Sequence, residues 1–176
     1  DGSFLEMGCS WGRTVITGFA RFEGRPVALM VSDPYHYAAA WTADAARKIR
    51  RFMDLAQTFH FPVVHHVDVP GFMVGLEAEQ AGTMRAGAEA IAAIMGATVP
   101  WCAISVRKCF GIGGGAHANN SRFAVRYAWP SASWGSIPVA GGLEASYRSE
   151  IDAAADHKAK LEEIRARLDR LQSPLR

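Results

Sequence analysis

Cysteine is scarce in this chain of 176 residues: Cys9, Cys102 and Cys109 are odd in number and show no C-x-x-C spacing. Such a set argues against a disulfide framework or a zinc knuckle and fits a reducing compartment. Charge of one sign is missing as well. With a net charge of +2 and no basic run interleaved with aromatics, there is no electrostatic footprint for nucleic acid. Long hydrophobic runs are lacking, since the most apolar stretch, 91–106, is broken by Gly96 and Pro100 and is too short to span a bilayer. No charged-then-apolar leader opens the sequence, and its first residue, Asp1, suggests numbering that starts inside a longer protein.

The usual side-chain signatures of catalysis are sparse too. No G-x-S-x-G elbow occurs, and Ser105 falls inside a predicted strand rather than on a strained turn. His65 and His66 are adjacent on a predicted strand, so they face opposite sides and cannot share one metal ion. His36, His60, His117 and His157 are scattered, so no metal site is expected. His117 stays open as a functional residue because it is placed one turn into a helix that follows a glycine cluster. Asp68 ends a predicted strand, where it serves equally well as a functional carboxylate or as the cap of a turn.

The remaining pattern is α/β. Strands are predicted at 14–20 and 26–31, joined by a turn at Glu23-Gly24. Thr42 caps a helix whose apolar positions Ala45, Ile49, Phe52, Met53, Ala56 and Phe59 recur at helical spacing. Arg47, Lys48, Arg50 and Arg51 occupy its other faces as solvated surface, or as a contact for an anionic substrate such as a coenzyme A phosphate. Further strands are expected at 61–68, 99–106 and 123–128, and helices at 77–95, at 141–147 and from Gly115 towards Asn119. An amphipathic helix at 151–171 carries Leu161, Ile164, Leu168 and Leu171 on one side and needs the domain body or a partner to cover it. Length and composition fit a single domain over 1–176, with 151–176 as its C-terminal helix. The strand–helix alternation implies a mainly parallel, twisted sheet.

Two glycine turns follow buried strands: Asp68-Val69-Pro70-Gly71-Phe72, and Arg107 through Phe110 to Gly111-Ile112-Gly113-Gly114-Gly115. Glycine at such a turn lets the backbone approach a ligand and points N–H groups at it, so an amide nest for a developing oxyanion is expected. The second turn matches G-x-G-x-x-[GA] by spacing, but no acidic residue for a ribose stands near 131–136. A purely structural turn is the plainer alternative.

With these residues in view, the sequence resembles the carboxyltransferase (β) subunit of biotin-dependent acyl-CoA carboxylases of the propionyl-CoA carboxylase type, in its C-terminal half. The landmarks run in order: Asp1-Gly2-Ser3-Phe4-Leu5-Glu6; Gly18, Arg21, Gly24 and Pro26 of the hairpin; Lys48 and Phe52; Asp68 to Phe72 with Gly75 and Glu79. They continue through Gly87-Ala88, Ala97 to Pro100, Arg107-Lys108 to Gly111, and Ala128-Trp129-Pro130-Ser131-Ala132. The resemblance implies a crotonase-like fold, a C-terminal half that holds biotin carried on another protein or domain, and acyl-CoA as substrate. It implies an active site shared with the N-terminal half of a neighbouring subunit, and therefore a homo-oligomer partnered by biotin carboxylase and the biotin carrier. In the implied reaction carboxybiotin gives up CO2, its ureido anion takes the α-proton of the thioester, and the enolate attacks CO2. The protein then needs only to position reactants and steady oxyanions, without metal.

By register the resemblance assigns the oxyanion amides to Ile112 and Gly113. Pro70, Gly71, Phe72, Gly111, Gly114, Gly115, Gly141 and Gly142 are expected at the biotin and substrate surface. Departures from the family pattern are Gly111-Ile112-Gly113-Gly114 for Gly-Gly-Ala-Tyr, Ile137-Pro138 for Met-Gly, and Ser32-Asp33-Pro34 for Asn-Gln-Pro. The chain also ends just past Ser173-Pro174, at Arg176, before the family's last segment. Gly115 occupies the position that tunes acyl-chain size, so a bulkier acyl group than acetyl is expected. The rival expectations are a biotin-independent decarboxylase or hydratase of the same fold, and a non-catalytic assembly module. A bacterial cytoplasm is the expected location, with the mitochondrial matrix as the alternative, and neither nucleic acid nor membrane is expected as partner.

Overall fold

The computed structural model describes residues 2–117, 119, 123–136 and 139–175, without the side chains of 139–141. Its elements in chain order are β1 (Leu5–Met7), β2 (Val15–Phe22), β3 (Arg25–Ser32), α1 (Ala43–Thr58), β4 (Val63–Val69), α2 (Leu76–Gln80) and α3 (Thr83–Gly96). They continue with β5 (Trp101–Phe110), α4 (Gly111–Gly115), β6 (Ala124–Ala128), β7 (Ser133–Gly135), α5 (Val139–Ser146), α6 (Arg148–Asp152) and α7 (His157–Gln172). One sheet runs β1-β2-β3-β4-β5-β6, with β7 also paired to β5. The β1–β2 and β2–β3 pairs are antiparallel, and every pair from β3 onwards is parallel.

The expected hairpin is present, turning at Glu23-Gly24 where both residues have positive φ. Helix α1 starts where Thr42 Oγ1 accepts a hydrogen bond from the Ala45 amide at 3.2 Å, a side-chain cap for an orphan donor. Its Ala45, Ile49, Phe52, Met53 and Ala56 are buried in one core with β2–β5 and α3. The basic face of α1 needs correction at one residue. Lys48 is only 4% exposed, and its Nζ donates to the Val15 carbonyl at 2.7 Å. Burial pushes its pKa down, with Glu6 and Cys9 opposing that shift.

Four further departures from the sequence expectation have local causes. The helix expected at 77–95 is two, because Gly82 takes a left-handed φ of +74° and starts α3 afresh. The C-terminal helix expected at 151–171 is also two, since Asp156 accepts from the Ala159 amide at 3.0 Å and caps α7 as a separate unit. Its Ile164 is fully buried, α5 packs on α7, and Leu171 is left exposed. Strand β5 runs on to Phe110 instead of turning at Arg107, because β7 pairs with Lys108–Phe110 after β6 has paired with Trp101–Ser105. Finally, the helix expected from Gly115 onwards lies earlier, at Gly111–Gly115.

The turn after β4 is held by a wedge. The Phe72 ring stacks on Trp41 at 5.7 Å between centroids, and Trp41 pairs with the turn through Trp41 N–H to Gly71 O (3.0 Å) and Met73 N–H to Trp41 O (2.9 Å). On its other side Phe72 lies so close to Gly87 of α3 that a Cβ there would overlap the ring. Gly87→Ala should therefore lower stability by about 1–3 kcal/mol in urea unfolding. The penalty should shrink in a Phe72→Ala background, where the obstructing ring is gone.

Candidate functional site

The two predicted glycine turns meet at the C-terminal ends of neighbouring parallel strands. A methyl group built on Gly111 would stand 3.8 Å from the Gly71 Cα, and one built on Gly113 would stand 3.3 Å from the Phe72 ring. The register between β4 and β5 slips on the way there: Val67 pairs with Ser105, but Val69 pairs with Cys109. Asp68 fills that irregularity. Its carboxylate accepts from the Lys108 amide (3.0 Å), from Arg107 Nε (3.0 Å) and from Arg107 Nη2 (2.9 Å). By sequence Asp68 serves as a functional carboxylate or as the cap of the following turn; here the described bonds of its carboxylate cross to β5 and seal a strand bulge.

Beyond the bulge α4 turns tightly. A Cβ on Gly114 would collide with the Cys109 carbonyl, so only glycine lets this turn form. The N–H groups of Ile112 and Gly113 lie in the first turn of α4, where no intrahelical acceptor is available, and no acceptor outside the helix takes them among the described residues. Ile112 is exposed and Gly113 is buried against Val69 and Phe72.

A cavity of about 470 Å³ opens beside α4, β6 and β7. Gly111, Gly114 and Gly115 line it, and nothing lies within 4 Å of a Cβ built on Gly115. Ile112 and Gly113 border the turn rather than the described lining of this cavity. Pro70, Gly71 and Phe72 form the neighbouring turn, where Gly71 lies against Gly111 of α4 and the Phe72 ring lies against Gly113. Gly141 and Gly142 lie in α5, which packs on α6 and α7. Ile137 and Pro138 lie outside the described residues.

His117 falls past the end of α4, not one turn into a helix. Its Nδ1 donates to the Gly114 carbonyl, its own carbonyl accepts from Trp101 Nε1 at 2.8 Å, and its Nε2 faces Arg126 Nη1 at 3.4 Å. Cys109 Sγ donates to the Gly114 carbonyl at 3.2 Å and lies 3.7 Å from His117 Nδ1. That geometry does not make a thiolate–imidazole pair, because burial pushes the Cys109 thiol up and its proton is spent on a backbone oxygen. Arg126, Tyr127 and Trp134 also line the cavity, and no sequence signal singled them out. They arrive there through the β5–β6 and β5–β7 pairings. No group of three metal-ligating side chains occurs among the described residues.

Glycine-rich main chain at the ends of parallel strands, beside an open cavity, defines the class as crotonase-like α/β. The particular family follows from comparison. The model of the carboxyl transferase domain matches residues 1–175, and the chain belongs to that family. It is 33% identical over 172 residues to the biotin-dependent acetyl-/propionyl-coenzyme A carboxylase beta5 subunit of Mycobacterium tuberculosis, covering 96% of this chain and 31% of that protein. It is 34% identical over 159 residues to the methylmalonyl-CoA carboxyltransferase 12S subunit of Propionibacterium freudenreichii subsp. shermanii, covering 90% of this chain and 30% of that one. Among solved structures, a transcarboxylase 12S hexamer with methylmalonyl-coenzyme A and methylmalonic acid bound superposes with a TM-score of 0.88. Its sequence identity is 32%, over 98% of this chain and 34% of that one. The chain thus spans about a third of the length of the curated relatives it matches.

His65 is fully buried on β4 with its ring edge-on to Trp101 at 5.9 Å, and its Nδ1 has no partner among the described residues. Burial first, then the nearby His117 and His66, lowers its pKa from 6.5 to about 3. Between those values the unfolded chain binds a proton that the folded chain refuses. The stability tied to His65 is therefore complete above pH 6.5 and is lost as the pH falls towards 3. Urea unfolding at stepped pH should show a fall of up to about 1.4 kcal/mol per pH unit from this residue. His65→Leu should flatten the profile by that amount.

Proposed function

We propose that this chain is the biotin-side half of a biotin-dependent acyl-CoA carboxyltransferase, with the Ile112 and Gly113 amides as its oxyanion donors. The observation that carries the reading is the pair of first-turn N–H groups that find no acceptor among the described residues where two glycine turns meet. When bound, biotin supplies the carboxyl group and a ureido oxygen that gathers negative charge as the carboxyl leaves. The surroundings fit such a group. Glycines at 111, 114 and 115 leave main chain, not side chain, beside a cavity of about 470 Å³.

The residues divide the work by position. Ile112 and Gly113 donate hydrogen bonds to the developing oxyanion, fixed in advance and so needing no reorganisation during reaction. Phe72, gripped by Trp41 and Gly87, sets where α4 stands and keeps water from its buried side. Pro70 and Gly71 present the facing turn, while Gly115 leaves space for an acyl group larger than acetyl. Gly141 and Gly142 would line the same surface from α5. The whole enzyme would add an N-terminal carboxyltransferase half, a biotin carboxylase and carrier, and further copies of itself, in a bacterial cytoplasm.

Ile112→Pro removes one donor at an exposed first-turn position where proline is tolerated. Carboxylation by the complete enzyme should fall about 10²–10³-fold while the variant stays folded. Unchanged turnover in a folded variant, or equal turnover with and without biotin carrier in the parent, would overturn the reading. Gly115→Leu should cut kcat/KM for acyl chains longer than propionyl at least about tenfold relative to acetyl-CoA.

A further inference from the structure

The cavity beside α4 has a sign. Arg126 and His117 line it together with Ser105, Tyr127 and Trp134, and no carboxylate does so among the described residues. The Arg126 guanidinium makes no ion pair among the described residues, and its one described hydrogen bond is the long contact to His117 Nε2 at 3.4 Å. The imidazole is pinned from two directions. Nδ1 donates to the Gly114 carbonyl, which leaves Nε2 as an acceptor, and Trp101 Nε1 holds the His117 carbonyl at 2.8 Å. A fixed acceptor thus engages one N–H of a five-donor fork and leaves the rest for a ligand. Tyr127 and Trp134 add aromatic wall around a space far larger than a water molecule.

We propose that Arg126, with His117 as its positioning residue, binds the terminal carboxylate of a ligand inside this cavity. Two molecules in the proposed reaction carry one: an acyl-CoA whose acyl chain ends in a distal carboxylate, and the carboxylated biotin itself. The names of these sources rest on the carboxyltransferase reading; the anion site does not. A guanidinium meets a carboxylate through two parallel charge-assisted hydrogen bonds, which a neutral amide end group cannot match.

The test has a binding arm and a kinetic arm. Titrating the complete protein with glutarate and with neutral glutaramide should show glutarate bound about ten- to a hundredfold more tightly. Arg126→Gln should abolish that preference and Arg126→Lys should keep part of it, with His117→Gln weakening glutarate binding less than Arg126→Gln does. If kcat/KM for glutaryl-CoA relative to valeryl-CoA falls at least about tenfold in Arg126→Gln, the acyl chain is the source. If both substrates slow together through kcat, the carboxylate is the one on biotin. No preference for glutarate in the parent, or a preference unchanged in folded Arg126→Gln, overturns the proposal. A parent that binds glutarate but carboxylates no thioester keeps the anion site and removes the carboxyltransferase reading instead.

Discussion

One aromatic ring without room to spare governs the architecture. Phe72 is clasped between the Trp41 indole, the bare backbone of Gly87 in α3, and Gly113 of α4. Because a close-packed interior cannot deform smoothly, that ring fixes its own turn and three other segments in mutual register. Trp41 comes from the chain after β3, Phe72 from the turn after β4, and Gly113 from the turn after β5. The two glycine turns lie side by side as a result. Dense packing around small residues, more than charge, builds this end of the molecule.

Such a construction suits chemistry performed by main chain. The polar side chains nearest the turns are committed elsewhere: Asp68 to the bulge, Cys109 to the Gly114 carbonyl, and His117 to that same carbonyl. His65 is kept neutral by burial and Cys109 protonated by burial. Among the described residues, a pair of amides finds no acceptor on one side, and on the other a guanidinium has only its long contact to His117. An amide supplied by the backbone is indifferent to the side chain it carries, so an isoleucine at 112 leaves that N–H in place.

Legibility in the sequence followed the range of the interactions. The hairpin at Glu23-Gly24 and the Thr42 cap were readable because their causes lie within a few residues. The fold class and family emerged from ordered landmarks along the whole chain, and the match to residues 1–175 accords with them. The full length of β5 was not readable, because it depends on β7, a three-residue strand whose pairing is non-local. The helix breaks at Gly82 and Asp156 turned on single residues that periodicity alone smooths over. Lys48 looked like surface by spacing, yet a carbonyl 33 positions away draws it inward. Arg126 and Trp134 gave no signal at all, since only strand pairing brings them to the cavity.

The bulge sealed by Asp68 has an evolutionary corollary. One acid group, forty positions before the Lys108 amide it holds, aims the last stretch of β5 and so the heading of α4. It is not among the residues that line the cavity. Drift at that residue would disturb the course of β5 and α4 while leaving the cavity's own lining residues unchanged. Sequence variation around Asp68 is thus better judged as a hinge of alignment than as a lost functional group.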